Sequence, residues 1–510
     1  MLRGRMRVAV IGAGPSGVVA LKELRAAGIE AVGFEARAGI GGLFAFDEGE
    51  GLVWESLRLT SSTLVTQFSD FPAPEGSPLH LRHDQYVAYL AAYATRFDLW
   101  PHLRFNARVE DVRRVGDRWS LAIHAKPREE FDALVVCSGV HQRPFVPRIP
   151  GLESFRGEIR HAAQFRRPEP FRGRRVVAVG AGESGGEIIP SVAEVAASCS
   201  VSLRRGAYFI PRIVEGLPGD YLTTRLVHGF GSHPSLRELK LARTVLLRGA
   251  VPRHPPEELF ELPFQPLVRA LFEQTRLSER QQFATKTDAL PKAIASDACS
   301  VRPEIEAIEG STIHYVDGRK EEADVLLLCT GFDLPMWPFF RRDLASRSLY
   351  RRILDPALGR SVAFVGFVRP AIGAIPPIAE MQSRWVAQVL AGRIPVPDAD
   401  QMRAEIADDD AWTREAFPKD HEQIPYIVAH VRYMDELAVD LGCMPILADL
   451  RVPRSLLGKF FLSPIAPLQY RLVGPGALPD AKERVLELPV HPKNRRPDDH
   501  DGARVFGDRG

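Results

Sequence analysis

The 510-residue sequence predicts an α/β fold with two Rossmann-like dinucleotide-binding domains, the second inserted into the first, plus a mixed insertion. Three observations predict it. A strand, glycine turn and helix pattern occurs twice, at Gly12-Ala13-Gly14-Pro15-Ser16-Gly17 and at Gly180-Ala181-Gly182-Glu183-Ser184-Gly185. Two apolar strands ending in a Ser-Gly or Thr-Gly turn, Ala133–Gly139 and Ala323–Gly331, echo each other. A chain of this length makes about three domain-sized units.

The first pattern spans Arg7–Glu35. Val8–Ile11 reads as a buried strand, and after the glycine turn Val18, Val19, Leu21 and Leu24 recur at helical spacing as far as Gly28, a suitable C-cap. A second apolar run ends in Glu35. Glycines let such a turn approach a pyrophosphate, the helix N-terminus attracts its charge, and an acid about 20 residues on can hold a ribose hydroxyl. Gly39-Ile40-Gly41-Gly42-Leu43-Phe44 is a flexible turn whose backbone can pass close to a bound cofactor. Trp54–Pro72 is a hydroxyl-rich run closed by an aromatic–Pro turn. His83–Phe97 has helical spacing, while Leu103–Val112 and Trp119–Ile123 alternate as strands do.

The second pattern, Arg175–Ile188, repeats the strand, turn and helix start, but its second strand, Ser200–Leu203, ends in Arg204-Arg205 rather than an acid. A 2′-phosphate needs a cation where a free 2′-hydroxyl needs a carboxylate, so this half favours NADPH over NADH. Glu35 correspondingly fits the ADP ribose of FAD. Two unlike dinucleotide sites on one chain imply electron transfer between two cofactors. Ser361–Trp385 reads as a strand, a Gly/Pro turn and a helix beginning near Pro377, and a helix start aimed at the flavin ring would stabilise negative charge on the reduced ring.

The expected domains follow: 1–154 with 325–440 for FAD, 155–212 with 296–324 for NADPH, 213–295 as an insertion covering the substrate pocket, 441–490 as a C-terminal packing segment and 491–510 as a polar, disordered tail. Composition excludes other classes. With 66 Lys and Arg against 64 Asp and Glu, there is no charge excess to capture nucleic acid or an acidic membrane. The first strand begins within ten residues of Met1, and no uninterrupted apolar run reaches ~18 residues, so neither a secretory signal nor an integral membrane segment is expected. Five scattered cysteines without a C-x-x-C pair point to the cytoplasm and against a structural zinc site or a redox disulfide. The oligomeric state stays open, a homodimer included.

Between the two units, Phe155, Gly157, His161, Phe165 and Arg166 fit the F-x-G-x-x-x-H-x-x-x-(F/Y)-(K/R) signature. On these residues the chain resembles the flavin-containing monooxygenases, and the resemblance runs over nearly its whole length. GGLF at Gly41–Phe44, CTGF at Cys329–Phe332, SLRRGAYFIPR, AIPPIAEMQSRW, YMDELA and PLQYRLVGPG are similar to the longer, animal-type members, without their terminal hydrophobic segment. Read without the family, His161 is a lone histidine, more often structural than catalytic. The resemblance implies that NADPH reduces FAD and that dioxygen adds at flavin C(4a) to give a hydroperoxide. A soft nucleophile, amine nitrogen or thioether sulfur, then attacks the distal oxygen while the protein keeps water away. The cofactor-binding residues expected on the flavin side are Gly12, Gly14, Pro15, Ser16, Gly17, Glu35, Gly42, Leu43, Phe44, Ser61 and Gln382. Those expected for NADPH are Gly180, Gly182, Ser184, Gly185, Arg204 and Arg205.

Two positions depart from the family pattern. Where the family carries an Asn that steadies the oxygenated flavin, this chain has Thr60, whose hydroxyl offers donor and acceptor from one shorter arm, with Ser61 and Ser62 beside it. Thr60 is the expected catalytic residue, with more peroxide leakage than in Asn-bearing relatives. Arg369 stands where many relatives have Gln; it is either a surface arginine or a bidentate partner for a substrate carboxylate. Baeyer–Villiger insertion into ketones, an NADPH oxidase releasing hydrogen peroxide, and a flavoprotein without catalysis are the competing readings.

Overall fold

A computed structural model of the chain describes residues 6–204, 209–225, 285–333, 337, 339–340, 348–417, 424, 426–444 and 454–491. Arg205, most of the expected 213–295 insertion and nearly all of the expected tail lie outside the described residues.

Two five-stranded, all-parallel sheets form the frame. The first runs Val362–Phe364, Ala133–Val136, Arg7–Ile11, Glu30–Phe34, Leu103–Arg104. The second runs Glu158–His161, Val325–Leu328, Arg175–Val179, Ser198–Ser202, Ser300–Arg302. Strand for strand the two orders correspond, so the repeat read from the glycine turns extends to the whole sheet. Each sheet also carries a three-stranded antiparallel meander between its third strand and its closing strand. These are Val109–Val115, Arg118–Ile123 and Glu129–Phe131 in the first unit, and Ile305–Glu309, Thr312–Tyr315 and Lys320–Glu322 in the second. Central strands are covered on both faces, which is why they read as unbroken apolar runs: Val8, Val10, Val135 and Val136 are fully buried.

In the first unit the helix Pro15–Ala26 packs against the helix Ile375–Leu390, with His83–Arg96 and His430–Asp440 completing the same core. The second of these begins two residues before the expected Pro377, because Pro376 and Pro377 sit in its first turn, where a missing N–H costs nothing. A buried ionic knot fastens the C-terminal segment here. Arg471 donates to Glu380 (2.8 Å), Glu23 (3.2 Å) and the Ser69 hydroxyl (2.6 Å), and Lys22 pairs with Glu23 and Asp70. Breaking one partner would strand a charge in the core, at a cost of about 3–5 kcal/mol.

Two expectations need correction. The strand Val325–Leu328 lies inside the second sheet, so the boundary at 324/325 is misplaced. The Thr-Gly echo had put this strand with its own unit, whereas the boundary gave it to the first. The run Leu103–Val112 is broken at Asn106, in the left-handed region at φ 51°. There Asn106 N–H and Ala107 N–H donate to the Arg37 and Glu35 carbonyls rather than continuing a ladder. The cysteines are all free and buried, yet Cys199 meets Cys299 across neighbouring strands, a contact no sequence spacing announces.

Candidate functional site

At the first turn, Gly12 has φ +106°, and a Cβ there would lie 2.6 Å from the Cys137 carbonyl oxygen. A Cβ on Gly17 would lie 1.8 Å from the Gly12 carbonyl oxygen. Any side chain would therefore push the turn off the sheet. Helix Pro15–Ala26 starts from Gly14 with no side-chain cap, leaving its first N–H groups for an anion. Glu35 is buried at the end of the second strand; one carboxylate oxygen accepts from Ala13 N–H (2.7 Å) and the other from Arg37 N–H (2.9 Å). Each oxygen keeps a lone pair for a ribose hydroxyl. The residues present fit the adenine dinucleotide end of FAD.

The Gly41–Phe44 turn closes over this site. Gly42 packs so tightly on Gly14 that a Cβ on Gly42 would come within 2.8 Å of the Gly14 Cα. Leu43 is half-buried, and Phe44 meets Tyr86 edge-to-face at 4.9 Å. Ser16 is in contact with Gly366. Two arginines that sequence reasoning passed over hold the following loop. Arg37 donates to the Gly42 and Glu50 carbonyls, and Arg166, the end of the linker signature, donates to the Asp47 and Gly51 carbonyls.

The second turn repeats the geometry. Gly180 has φ +93°, with a would-be Cβ 2.8 Å from the Cys329 carbonyl oxygen, and Gly185 stands against the Gly180 carbonyl. Ser184 is half-buried in the first turn of helix Glu183–Ala193. Gly182 is exposed with nothing near it. Arg204 is exposed just past the second strand, in the region that takes a ribose phosphate in such a unit; Arg205 lies outside the described residues. These residues fit NADPH. Thr285–Thr287, beyond the gap, return to this turn: the Thr285 hydroxyl donates to the Ala181 carbonyl and Lys286 N–H to Glu183.

The hydroxyl run crosses the seam between the units. Trp54 packs in the second unit's core against Phe165, and Glu55 N–H donates to the Arg166 carbonyl. Ser62 is fully buried, caps the short helix Thr63–Thr66, and donates its N–H to Asp220 at 2.6 Å. Thr60 and Ser61 stay half-buried, and the Thr60 hydroxyl makes no hydrogen bond among the described residues. Nearby, the two chain crossings pair with each other. Phe145 N–H donates to the Gly331 carbonyl, Asp333 N–H to the Arg143 carbonyl, and the Thr330 hydroxyl to the Phe145 carbonyl.

Gln382 is fully buried; its carbonyl oxygen accepts from Gly366 N–H (2.8 Å) and its amide donates to the Tyr433 hydroxyl (2.7 Å). Each arm makes one hydrogen bond to protein, and through Gly366 the side chain lies next to Ser16 of the first turn. His161 accepts the Ala163 N–H through Nδ1 and packs on Phe332, and burial lowers its pKa, in keeping with a structural cap. Arg369 is half-buried beside Tyr426, with His141 close by, where burial first and the Arg369 charge second hold that imidazole down to about 4. A polar cleft of about 480 Å³ between the 48–52 loop and Glu158–Arg166 contains none of the expected site residues apart from the loop contacts of Arg166. Among the described residues no cluster of potential metal ligands occurs and no helix is long and apolar enough to cross a membrane.

Comparisons with known proteins agree with this geometry. A family model described as flavin-binding monooxygenase-like matches residues 5–489. The chain is similar to 4-hydroxybenzoate brominase (decarboxylating) of Marinomonas mediterranea, at 34% identity over 94% of this chain and 92% of that protein. It is similar to human flavin-containing monooxygenase 5 at 32% identity over 94% and 91%. Among solved structures, S-allyl-L-cysteine S-oxygenase from Allium sativum shares the fold at TM-score 0.62 and 23% identity, covering 86% of this chain and 88% of that one. Closed cyclohexanone monooxygenase does so at TM-score 0.62 and 18% identity, covering 85% and 97%. With two glycine turns of matching geometry, an acid beyond one and an arginine beyond the other, and a family match along nearly the whole chain, this protein belongs to the flavin-containing monooxygenases, flavin-dependent enzymes that use FAD and NADPH.

Proposed function

We propose that this monooxygenase oxygenates a soft nucleophile, the nitrogen or sulfur of a small molecule, with Thr60 at the oxygen site. The observation that carries the reading is the placement of the hydroxyl run at the seam, where Trp54 packs on Phe165 of the second unit and Ser62 N–H donates to Asp220 just beyond it. When bound, FAD supplies a two-electron carrier that activates dioxygen, and NADPH supplies its electrons. The chain's own residues do the rest. Gly12, Gly14, Pro15, Ser16 and Gly17 seat the flavin pyrophosphate, Glu35 takes its ribose, and Gly42, Leu43 and Phe44 shut the turn. Gly180, Gly182, Ser184 and Gly185 seat the second pyrophosphate, and Arg204 with Arg205 selects the 2′-phosphate. The Thr60 hydroxyl, helped by Ser61, donates and accepts a hydrogen bond where the oxygen reacts. No charged acid–base pair is needed for attack by a soft nucleophile. Residues 1–154 with the later strand Val362–Phe364 and helix Ile375–Leu390 form the FAD unit, and residues 155–212 with 285–328 form the NADPH unit.

A second reading is favoured by one residue. Two curated relatives are named for decarboxylating bromination of 4-hydroxybenzoate, and Arg369 is a half-buried cation able to pair with such a carboxylate. Product analysis decides. The purified enzyme is given NADPH with a thioether, a tertiary amine, a cyclic ketone, and 4-hydroxybenzoate with bromide. Sulfoxide or N-oxide is the expected product. Ester from the ketone would establish Baeyer–Villiger chemistry instead. A brominated phenol lost in Arg369→Ala would establish the second reading. Peroxide alone with every substrate would leave an NADPH oxidase. Thr60→Asn is expected to lower the peroxide released per NADPH severalfold with the preferred substrate.

A further inference from the structure

Behind the hydroxyl run lies a cluster that the reaction as described does not use. Asp220, on the 3-10 turn Gly219–Leu222, is 9% exposed. Its Oδ2 accepts the Ser62 N–H at 2.6 Å, and its Oδ1 is buried with no hydrogen-bond partner among the described residues. From the opposite side comes His80, 6% exposed, in the stretch that pairs with Leu59–Thr63 through Leu59 N–H to the Leu81 carbonyl and Thr63 N–H to the Leu79 carbonyl. His80 Nδ1 faces the Leu59 carbonyl at 3.1 Å, which assigns the proton to Nδ1 and leaves Nε2 a buried acceptor without a partner. Lys286 approaches Asp220 from the segment beside the second glycine turn, and Arg212 approaches His80.

We propose that Asp220 is the positioning residue of the oxygen site, a neutral carboxylic acid with its proton on Oδ1 that pins Ser62 and so fixes the hydroxyls of Thr60 and Ser61. The inference rests on the reading of Thr60 as the oxygen site. A buried carboxylate with one oxygen unsatisfied is costly when charged and much less so when protonated. Burial raises the Asp220 carboxyl above its ordinary range, against the opposing pull of the Ser62 hydrogen bonds, His80 and Lys286. Burial likewise keeps His80 neutral, with Asp220 opposing and Arg212 reinforcing. A neutral acid holds the hydroxyl segment without setting a negative charge behind a site where charge develops on reduction.

The test compares Asp220→Asn, which keeps the shape and the acceptor for Ser62 but cannot ionise, with Asp220→Ala. Two quantities are read: peroxide per NADPH in the holoenzyme over roughly pH 6 to 9, and hydrogen exchange of the Thr60–Thr63 amides in flavin-free protein. Asp220→Asn is expected to match wild type in exchange and to remove the rise in leakage expected of wild type wherever Asp220 ionises. Asp220→Ala is expected to speed exchange at Ser62 by about tenfold, the loss of one hydrogen bond, and to raise leakage severalfold. Asn behaving like Ala overturns the neutral acid, and Ala with wild-type exchange overturns the anchoring. Should wild type give no oxygenated product from any substrate, the Thr60 reading fails, while the exchange rates still decide the role of Asp220.

Discussion

The two glycine turns are nearly superposable in chemistry, yet they are finished differently. Both N-cap glycines have φ −73°, with ψ −174° at Gly14 and −169° at Gly182. Both turns are tied to the sheet alike, Gly12 N–H to the Phe34 carbonyl and Gly180 N–H to that of Ser202. The first is then covered by Gly42 and wired down by Arg37 and Arg166, whereas Gly182 looks into open space. Among the described residues, the first turn is thus covered by a loop that the second lacks. The difference between the two turns lies in a loop rather than in the sheet, since the strand orders correspond.

Substitutions at matching positions sharpen or break that contrast. The largest effect is expected for Gly17→Val, whose side chain must displace the Gly12 carbonyl, with a strain cost on the order of 3 kcal/mol or more. The protein should purify colourless. The matching Gly185→Val should keep its yellow flavin but fail to bleach with NADPH in the absence of air. Equal flavin loss in Gly17→Val and Gly185→Val would remove the division of labour. Next comes Arg204→Ala, which should raise KM for NADPH by about 10- to 100-fold, the worth of a charge-assisted hydrogen bond, with kcat and the NADH reaction little changed. A parallel loss with NADH would deny the arginine its phosphate.

The smallest effect concerns the acid that precedes each closing strand. Asp132 accepts from Arg7 N–H at 2.7 Å, and Asp324 accepts from Arg175 N–H at 2.8 Å and also pairs with its guanidinium. Those hydrogen bonds hold the Asp324 carboxyl down at about 2 from an ordinary 3.8. Because the folded value is the lower one, its stabilisation is present above 3.8 and is lost as pH falls through about 2. Asp324→Asn should therefore lower Tm only slightly at neutral pH, because the pair is solvent-screened, and by less still as pH falls towards about 2.

Local pattern carried much of this fold. Val8–Ile11, Gly12–Gly17 and Glu35 lie within one stretch, and periodicity with glycine placement suffices to read them. The contrast of Glu35 with Arg204 was legible for the same reason. Asp220 was not legible: it stands 158 residues from Ser62, on a two-sided turn with no repeat to mark it. The contacts of the Gln382 amide with Gly366 and Tyr433 were not legible, because they join residues 16 and 51 positions away. The break at Asn106 was hidden because Leu103–Val112 alternates well enough for a strand, and only the neighbouring Glu35 and Arg37 carbonyls turn it aside.

The ionic knot at Arg471 has a consequence for a shortened chain. Glu23 lies on the helix Pro15–Ala26, and its arginine follows 448 residues later. Three carboxylates, Glu23, Asp70 and Glu380, converge there with Lys22 as the neighbouring cation of that helix. A chain truncated before Arg471 would lack the guanidinium that bridges Glu23 and Glu380, leaving Lys22 and Arg384 as the cations beside these carboxylates.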